Sequence, residues 1–413
     1  MQLQTKGDRW FFSYFPVNTA GGLSSPLAPL FITEILGGGV IDYSLFTIFS
    51  SIATIIGLFL WGYLSDKLGK RKIFVIIGFV SLAVTSLLLS FSFSVLYFIS
   101  ISFLSGLFGS AASPIASVLI MELTDRKDWV YKISKFSQYS SYGQIVGVIF
   151  AAIFTGYSYD MRTLRYLYIA AFLFYVISAI MSYILIPEPK SKIKRDEIDL
   201  RTFRVFEKIR YFPSYILHFN LHFRDLDADL KKILIGFFIM MTGFQLFFVA
   251  FPILLKNLGV NNTVFFLIYL GNYVFAAITF NFSGGLNAKF GNKRMTFLSV
   301  MARIFIFPSV ILIISLIQSR PLLFILLLLI YSILGALWSF ISVGTATLVS
   351  NLSKPEERGR VSGTYNAVQS FGVVVGSVAT GIIVSKAGYD INFITASTVT
   401  AIGLFIFMGI KGR

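Results

Sequence analysis

The side chains of this chain best placed to touch a small molecule are uncharged. Asn18, Gln138, Tyr142, Gln144, Gln245, Asn272, Tyr273, Trp338, Asn366 and Gln369 each lie within an otherwise apolar stretch. Their chemistry is hydrogen bonding and aromatic contact. A polar group among apolar neighbours needs a partner, so it marks a helix–helix contact or a cavity. Amides and hydroxyls beside aromatic platforms suit a neutral hydroxylated or moderately polar solute. Each amide can equally staple two helices together. Met240/Met241 and Phe247/Phe248 would suit a hydrophobic ligand, although such pairs commonly serve packing.

Catalysis has less to work with. The 413 residues contain no Cys, and His218 and His222 are the only histidines. That excludes disulfides, Cys-ligated zinc, iron–sulfur clusters and thiol catalysis. His222 and Asp227 have the His-x4-Asp spacing of membrane acyltransferases, but their polar segment of about 44 residues offers no accompanying fold. His218 and His222 at i,i+4 lack a further ligand set. No catalytic residue, metal or cofactor is expected, and the chain reads as a non-enzyme.

The elements that must position the polar groups follow from composition. The sequence is 56% hydrophobic and 13% charged, with mean hydropathy +0.79. A soluble domain carries roughly a quarter of its residues as charges. A membrane helix needs about 20 apolar residues to cross 30 Å of hydrocarbon. Cutting the chain at its charges leaves eleven such windows, from 10–33 to 391–410, the one at 295–319 interrupted by Arg303. The 73–121 window is long enough for two spans and splits at 91–94, giving 12 spans. Met1–Arg9 leads straight into an apolar run, which reads as a first span rather than a removable signal peptide.

The +16 net charge then acquires a direction. Alternate connections carry 29 Lys and Arg on one side and 5 on the other. By the positive-inside rule the basic side, with both termini, is cytoplasmic in the cell membrane. A nucleic-acid partner loses its support; the bilayer and a small-molecule substrate replace it. The 187–230 segment separates two six-span bundles, 1–186 and 231–413, and is expected to hold an amphipathic helix on the membrane surface or to act as a tether. Arg303, nine residues inside span 9, is expected to snorkel toward the headgroups; contact with a substrate carboxylate is the alternative.

The two halves repeat. Gly62-Tyr-Leu-Ser-Asp-Lys-Leu-Gly-Lys-Arg-Lys72 aligns with Gly284-Gly-Leu-Asn-Ala-Lys-Phe-Gly-Asn-Lys-Arg294 at an offset of 222, as Gly37 does with Gly259. Gly143 and Gly147 match Gly372 and Gly376 at 229. Parallel repeats imply a substrate site at their interface. The expected fold is an all-α integral membrane protein with 12 transmembrane helices in two pseudo-symmetric six-helix bundles.

The Gly62–Lys72 segment resembles the loop 2–3 signature of the major facilitator superfamily, and Lys354-Pro-Glu-Glu-Arg-Gly-Arg-Val-Ser-Gly363 resembles its loop 10–11 pattern. The resemblance implies a rocker-switch transporter acting as a monomer. It further implies a gating role for Gly62, Asp66, Gly69, Lys70, Arg71 and Arg358, with Asp66 latching the halves in the outward-open state. Ala288 replaces the carboxylate in the second copy, so such a latch is one-sided. Ser102 stands where many proton-coupled members carry Arg, span 5 lacks a Gly-Pro pair, and no Asp or Glu lies mid-span. Drug/proton antiport is thereby weakened. If a proton is coupled at all, Glu34 is the candidate residue.

These observations favour facilitated diffusion or symport of a small organic solute by alternating access. Efflux of multiple drugs or amphipathic compounds is the alternative transport reading. A non-transporting membrane solute sensor or receptor is the alternative of another class. A channel lacks a filter-like sequence.

Overall fold

The computed structural model describes residues 6–68, 70–112, 115–116, 119–120, 129–157, 162–187, 227–353 and 358–410. A 3-10 stretch, Lys6–Ser13, opens into α1 (Tyr14–Leu30), which continues as a π-helical stretch, Phe31–Ile35. Then come α2 (Val40–Leu68), α3 (Lys72–Ser90), α4 (Val95–Gly109), α5 (Trp129–Tyr157) and α6 (Arg162–Leu185). The second half follows with α7 (Ala228–Asn257), α8 (Asn262–Phe290), α9 (Asn292–Leu316) and α10 (Arg320–Leu352). The final run, Arg358–Met408, breaks at Gly388 (φ 82°, ψ 178°) into α11 (358–387) and α12 (389–408).

Among the described residues there are twelve α-helices and no strand, and the chain is an all-α membrane protein. Among the described residues eight helices, counting the last run once, are long and apolar enough to cross a membrane. Only helices, with backbone bonds satisfied internally, are open to such sequences in lipid. The long 73–121 window divides where expected: α3 ends at Ser90, and the Ser94 hydroxyl caps α4 by accepting the Tyr97 amide at 3.2 Å. Residues 110–112 form a turn after α4, and 115–116 and 119–120 are again helical.

The sequence repeat is also a repeat of backbone form. Gly37 and Gly259 end the first and seventh spans with φ of 66° and 77°, a left-handed turn that favours glycine. Gly143 and Gly147 of α5 lie against the α1 backbone, where a Cβ on Gly143 would sit 2.7 Å from the Phe15 carbonyl and one on Gly147 would strike that of Thr19. Gly372 and Gly376 of α11 lie likewise against Phe238 and Thr242 of α7, at 2.9 and 2.5 Å. Helices α1 and α7 therefore occupy corresponding places, each held by a small-residue seam.

Several sequence expectations fall outside the described residues. They are the amphipathic helix of the central segment, His218 and His222, and Gly69. Asp66 lies in α2 and Arg358 begins α11, but the side chains of both are outside the description.

Candidate functional site

A cavity of about 450 Å³ lies where helices of both halves meet. Three helices of the second half present stripes to it. Met241, Phe244, Gln245 and Phe248 line it from α7. Tyr269, Asn272, Tyr273, Ala276, Ala277 and Phe280 do so from α8, and Tyr331, Leu334, Gly335 and Trp338 from α10. Each set steps by three and four residues, which keeps it on one helix face. The first half contributes Ser25, Tyr43, Ser141 and Gln144, and α11 adds Gln369.

Six of the ten polar residues picked out from sequence thus share one wall: Gln144, Gln245, Asn272, Tyr273, Trp338 and Gln369. Asn272 also staples helices, donating its amide to the Tyr331 carbonyl at 2.7 Å. The other four lie off that wall. Asn18 donates back to the Tyr14 carbonyl at 2.7 Å and packs on Gly143. Gln138 donates to the Tyr142 hydroxyl at 3.0 Å, and both are exposed, as is Asn366. Sequence reasoning missed Tyr43, Tyr269 and Tyr331. Extending the Asn272 and Trp338 positions by helical spacing reaches Tyr269 and Tyr331. Met241 and Phe248 face the cavity, whereas their neighbours Met240 and Phe247 are fully buried in the core.

Arg303 departs from expectation. It is 1% exposed rather than reaching for headgroups, and it forms part of the cavity wall. From α9 it extends between α7 and α10, donating from Nη2 to the Leu334 carbonyl at 2.9 Å. Its guanidinium lies 4.4 Å from the Phe244 ring centre, 5.4 Å from Phe248 and 5.7 Å from Trp338. Aromatic faces attract the cation and substitute in part for lost hydration. They keep the group in place where snorkelling would withdraw it.

At one end of the bundle the halves are tied together. Glu34, in the π-helical stretch, forms an ion pair with Lys256 at the end of α7 and accepts the Asn262 amide at 2.9 Å. Lys256 also donates to the Asn262 side-chain oxygen at 3.0 Å and to the Val260 carbonyl at 2.7 Å. Nearby, a Cβ on Gly381 of α11 would lie 3.2 Å from the Ser44 Cβ of α2, and one on Gly156 of α5 3.7 Å from the Thr263 hydroxyl of α8. At the opposite end, a Cβ on Gly62, Gly284 or Gly363 would meet nothing within 4 Å. There, Arg71 donates to the Ser65 hydroxyl at 2.8 Å, closing the signature turn on itself, while Lys70 is exposed. Among the described residues no cluster of His, Asp or Glu could hold a metal.

The family model for the Major Facilitator Superfamily matches residues 10–337 and again 233–412. The chain belongs to this superfamily. No curated protein matches it by sequence. Solved structures share the fold at low identity. The nucleoside transporter NupG is 14% identical with a TM-score of 0.71, over 99% of this chain and all of the other. A POT family transporter in complex with 5-aminolevulinic acid is 11% identical with a TM-score of 0.77, over 97% and 94%. A D-xylose-proton symporter is 16% identical with a TM-score of 0.69, over 98% and 96%. All three are transporters, and this superfamily member shares their fold.

The tie at the Glu34 end yields an expected result. An ion pair of this partly exposed kind contributes about 1 kcal/mol, a several-fold bias in a two-state equilibrium. Glu34→Gln or Lys256→Met should therefore raise modification of a Ser25→Cys reporter from that side several-fold. A membrane-impermeant maleimide measures it directly, because the parent chain has no cysteine. Unchanged labelling would show that the pair does not hold this end shut.

Proposed function

We propose that the chain is a secondary transporter that carries a small organic solute across the cell membrane by alternating access. The halves 1–186 and 231–413 rock about the shared cavity, and 187–230 tethers them. One observation carries this reading: a polar-aromatic cavity between the halves, tied shut at the Glu34 end while motif glycines at the other end have open space beside them. The positive-inside count puts the open end in the cytoplasm, so this is the inward-facing state. The gating role that the resemblance implies for Gly62 then belongs to the opposite state, with Asp66 as its latch. Glu34 serves here as the latch of the inward-facing state, and coupling to a proton is a second role its exposure allows.

The absence of mid-span carboxylates from the sequence fits facilitated diffusion, and symport would have to draw on Glu34 if a proton is the coupling ion. Flux in proteoliposomes, with and without an imposed pH gradient, tests the reading across sugars, nucleosides, amino acids, organic acids and hydrophobic cations. Saturable uptake of one class is the expected result. Gradient-driven export of hydrophobic cations alone would replace it with drug efflux. Ligand binding without flux would make the protein a sensor.

A further inference from the structure

We propose that Arg303 is the anion-recognition residue of the cavity and that the solute is a small organic monocarboxylate with an apolar or aromatic body. This deepens the transport reading and rests on it for the cavity's role.

The cavity wall holds one permanently cationic side chain, Arg303, and no Asp or Glu. Guanidinium has five N–H donors and stays charged at any pH a protein meets. One donor is engaged, by the Leu334 carbonyl. The Nε and Nη1 atoms are buried with no hydrogen-bond partner among the described residues. Four of the five N–H groups, three of them on Nε and Nη1, therefore lack an acceptor among the described residues. A buried charge without a counter-ion is costly, and intramembrane charges pair or serve function. The rings of Phe244, Phe248 and Trp338 attract the cation but accept no conventional hydrogen bond. A carboxylate in the cavity would supply the missing counter-charge, and a turn of the buried guanidinium toward it would give the free donors an acceptor.

The rest of the wall selects the body of the ligand. One cation, with no second basic residue on the wall, matches one negative charge rather than two. The aromatic stripe of Tyr269, Tyr273 and Trp338 offers faces to an apolar or aromatic group, and Gln245 and Gln369 offer amides to a further hydroxyl or carbonyl. The neutral solute expected from the amides alone leaves Arg303 unexplained. The competing account is a staple: Arg303 joins α9 to α10 through Leu334 and nothing more.

The test uses the full chain in nanodiscs and matched probe pairs, benzoate with benzamide and phenylacetate with phenylacetamide. Thermal unfolding and tryptophan fluorescence follow binding, and proteoliposome uptake follows flux. The carboxylates, not the amides, should raise the unfolding midpoint. Arg303→Gln should weaken carboxylate binding at least tenfold, and Arg303→Lys should retain part of it. Arg303→Met should abolish the carboxylate response yet raise the midpoint of the ligand-free protein, since it removes an uncompensated buried charge. A staple predicts the reverse: a lower midpoint for Arg303→Met with any ligand response intact. That result, equal responses to acids and amides, or no response to either carboxylate overturns the proposal. Carboxylate binding lost in Arg303→Gln but without flux would leave the anion site standing and overturn the transport reading. Flux of neutral solutes with no carboxylate response would do the opposite.

Discussion

Oxidation of a Ser44→Cys/Gly381→Cys variant should reduce transport to background, and a reductant should restore it. The two positions lie on α2 and α11, one in each half, near the end tied by Glu34 and Lys256. A Cβ built on Gly381 lies 3.2 Å from that of Ser44. Disulfides place their Cβ atoms about 3.5–4.5 Å apart, so a shift of a few tenths of an ångström suffices. Alternating access requires this end to part in every cycle. A weak latch biases that parting, whereas a covalent bond forbids it. No native thiol competes for the bond, because the chain lacks cysteine. Each single variant, and the reduced double variant, should transport nearly as the parent does. A shift in gel mobility reports the bond and proteoliposome flux its consequence. Normal flux with the bond fully formed would show that this end never opens, and with it alternating access would fall.

Much of this geometry is legible in the sequence because it is backbone geometry. Spans follow from the length of apolar runs, and the break at Phe91–Ser94 follows from length alone. The paired glycines of α5 and α11 stand out because close backbone contact tolerates few other residues. The latch is also within reach. Glu34 and Lys256 are separated by 222 residues, the offset that relates Gly37 to Gly259, so they hold corresponding positions in the two repeats. Residues beside a pseudo-two-fold axis meet their own counterparts, as at an isologous interface. Opposite charges there predict an ion pair; reading Glu34 only as a proton carrier overlooks its mate.

The cavity is legible in part, for a different reason. Selecting polar and aromatic groups finds Gln245 on the α7 stripe, Asn272 and Tyr273 on that of α8 and Trp338 on that of α10, but passes over Tyr269 and Tyr331, since tyrosine also belongs to cores and headgroup regions. Arg303 defeats the sequence reading because a charge nine residues into a peripheral helix usually reaches outward. Whether a gap between two neighbouring helices lets it reach inward depends on their packing. Phe244 and the Leu334 carbonyl, far apart in sequence, create that gap together, and no local pattern announces it.

The small-residue seam supports the second large effect. Gly147→Val should cost about 3 kcal/mol and remove most folded protein, while Gly21→Ala, in the helix it packs against, should be neutral or mildly stabilising. A Cβ on Gly147 would strike the Thr19 carbonyl and come 2.9 Å from the Leu23 amide nitrogen, both backbone atoms of α1. A flexible side chain could swing aside; a helix backbone can yield only by moving as a whole. That movement would separate α5 from α1 along the seam where Gly143 also packs and where Gly22 meets the Gln144 backbone. Gln144 would shift with it, and a cavity residue would be displaced by a change that never touches the cavity. At Gly21 a Cβ meets nothing within 4 Å, so the alanine gains helix propensity of about 1 kcal/mol without a clash. Thermal unfolding and the size-exclusion profile of the detergent-solubilised variants separate the two outcomes. If Gly147→Val were as stable as Gly21→Ala, the close approach of α1 and α5 would be wrong. Gly376, against Thr242 and Gln245 of α7, carries the same seam in the second half, and Gly376→Val should repeat the loss there.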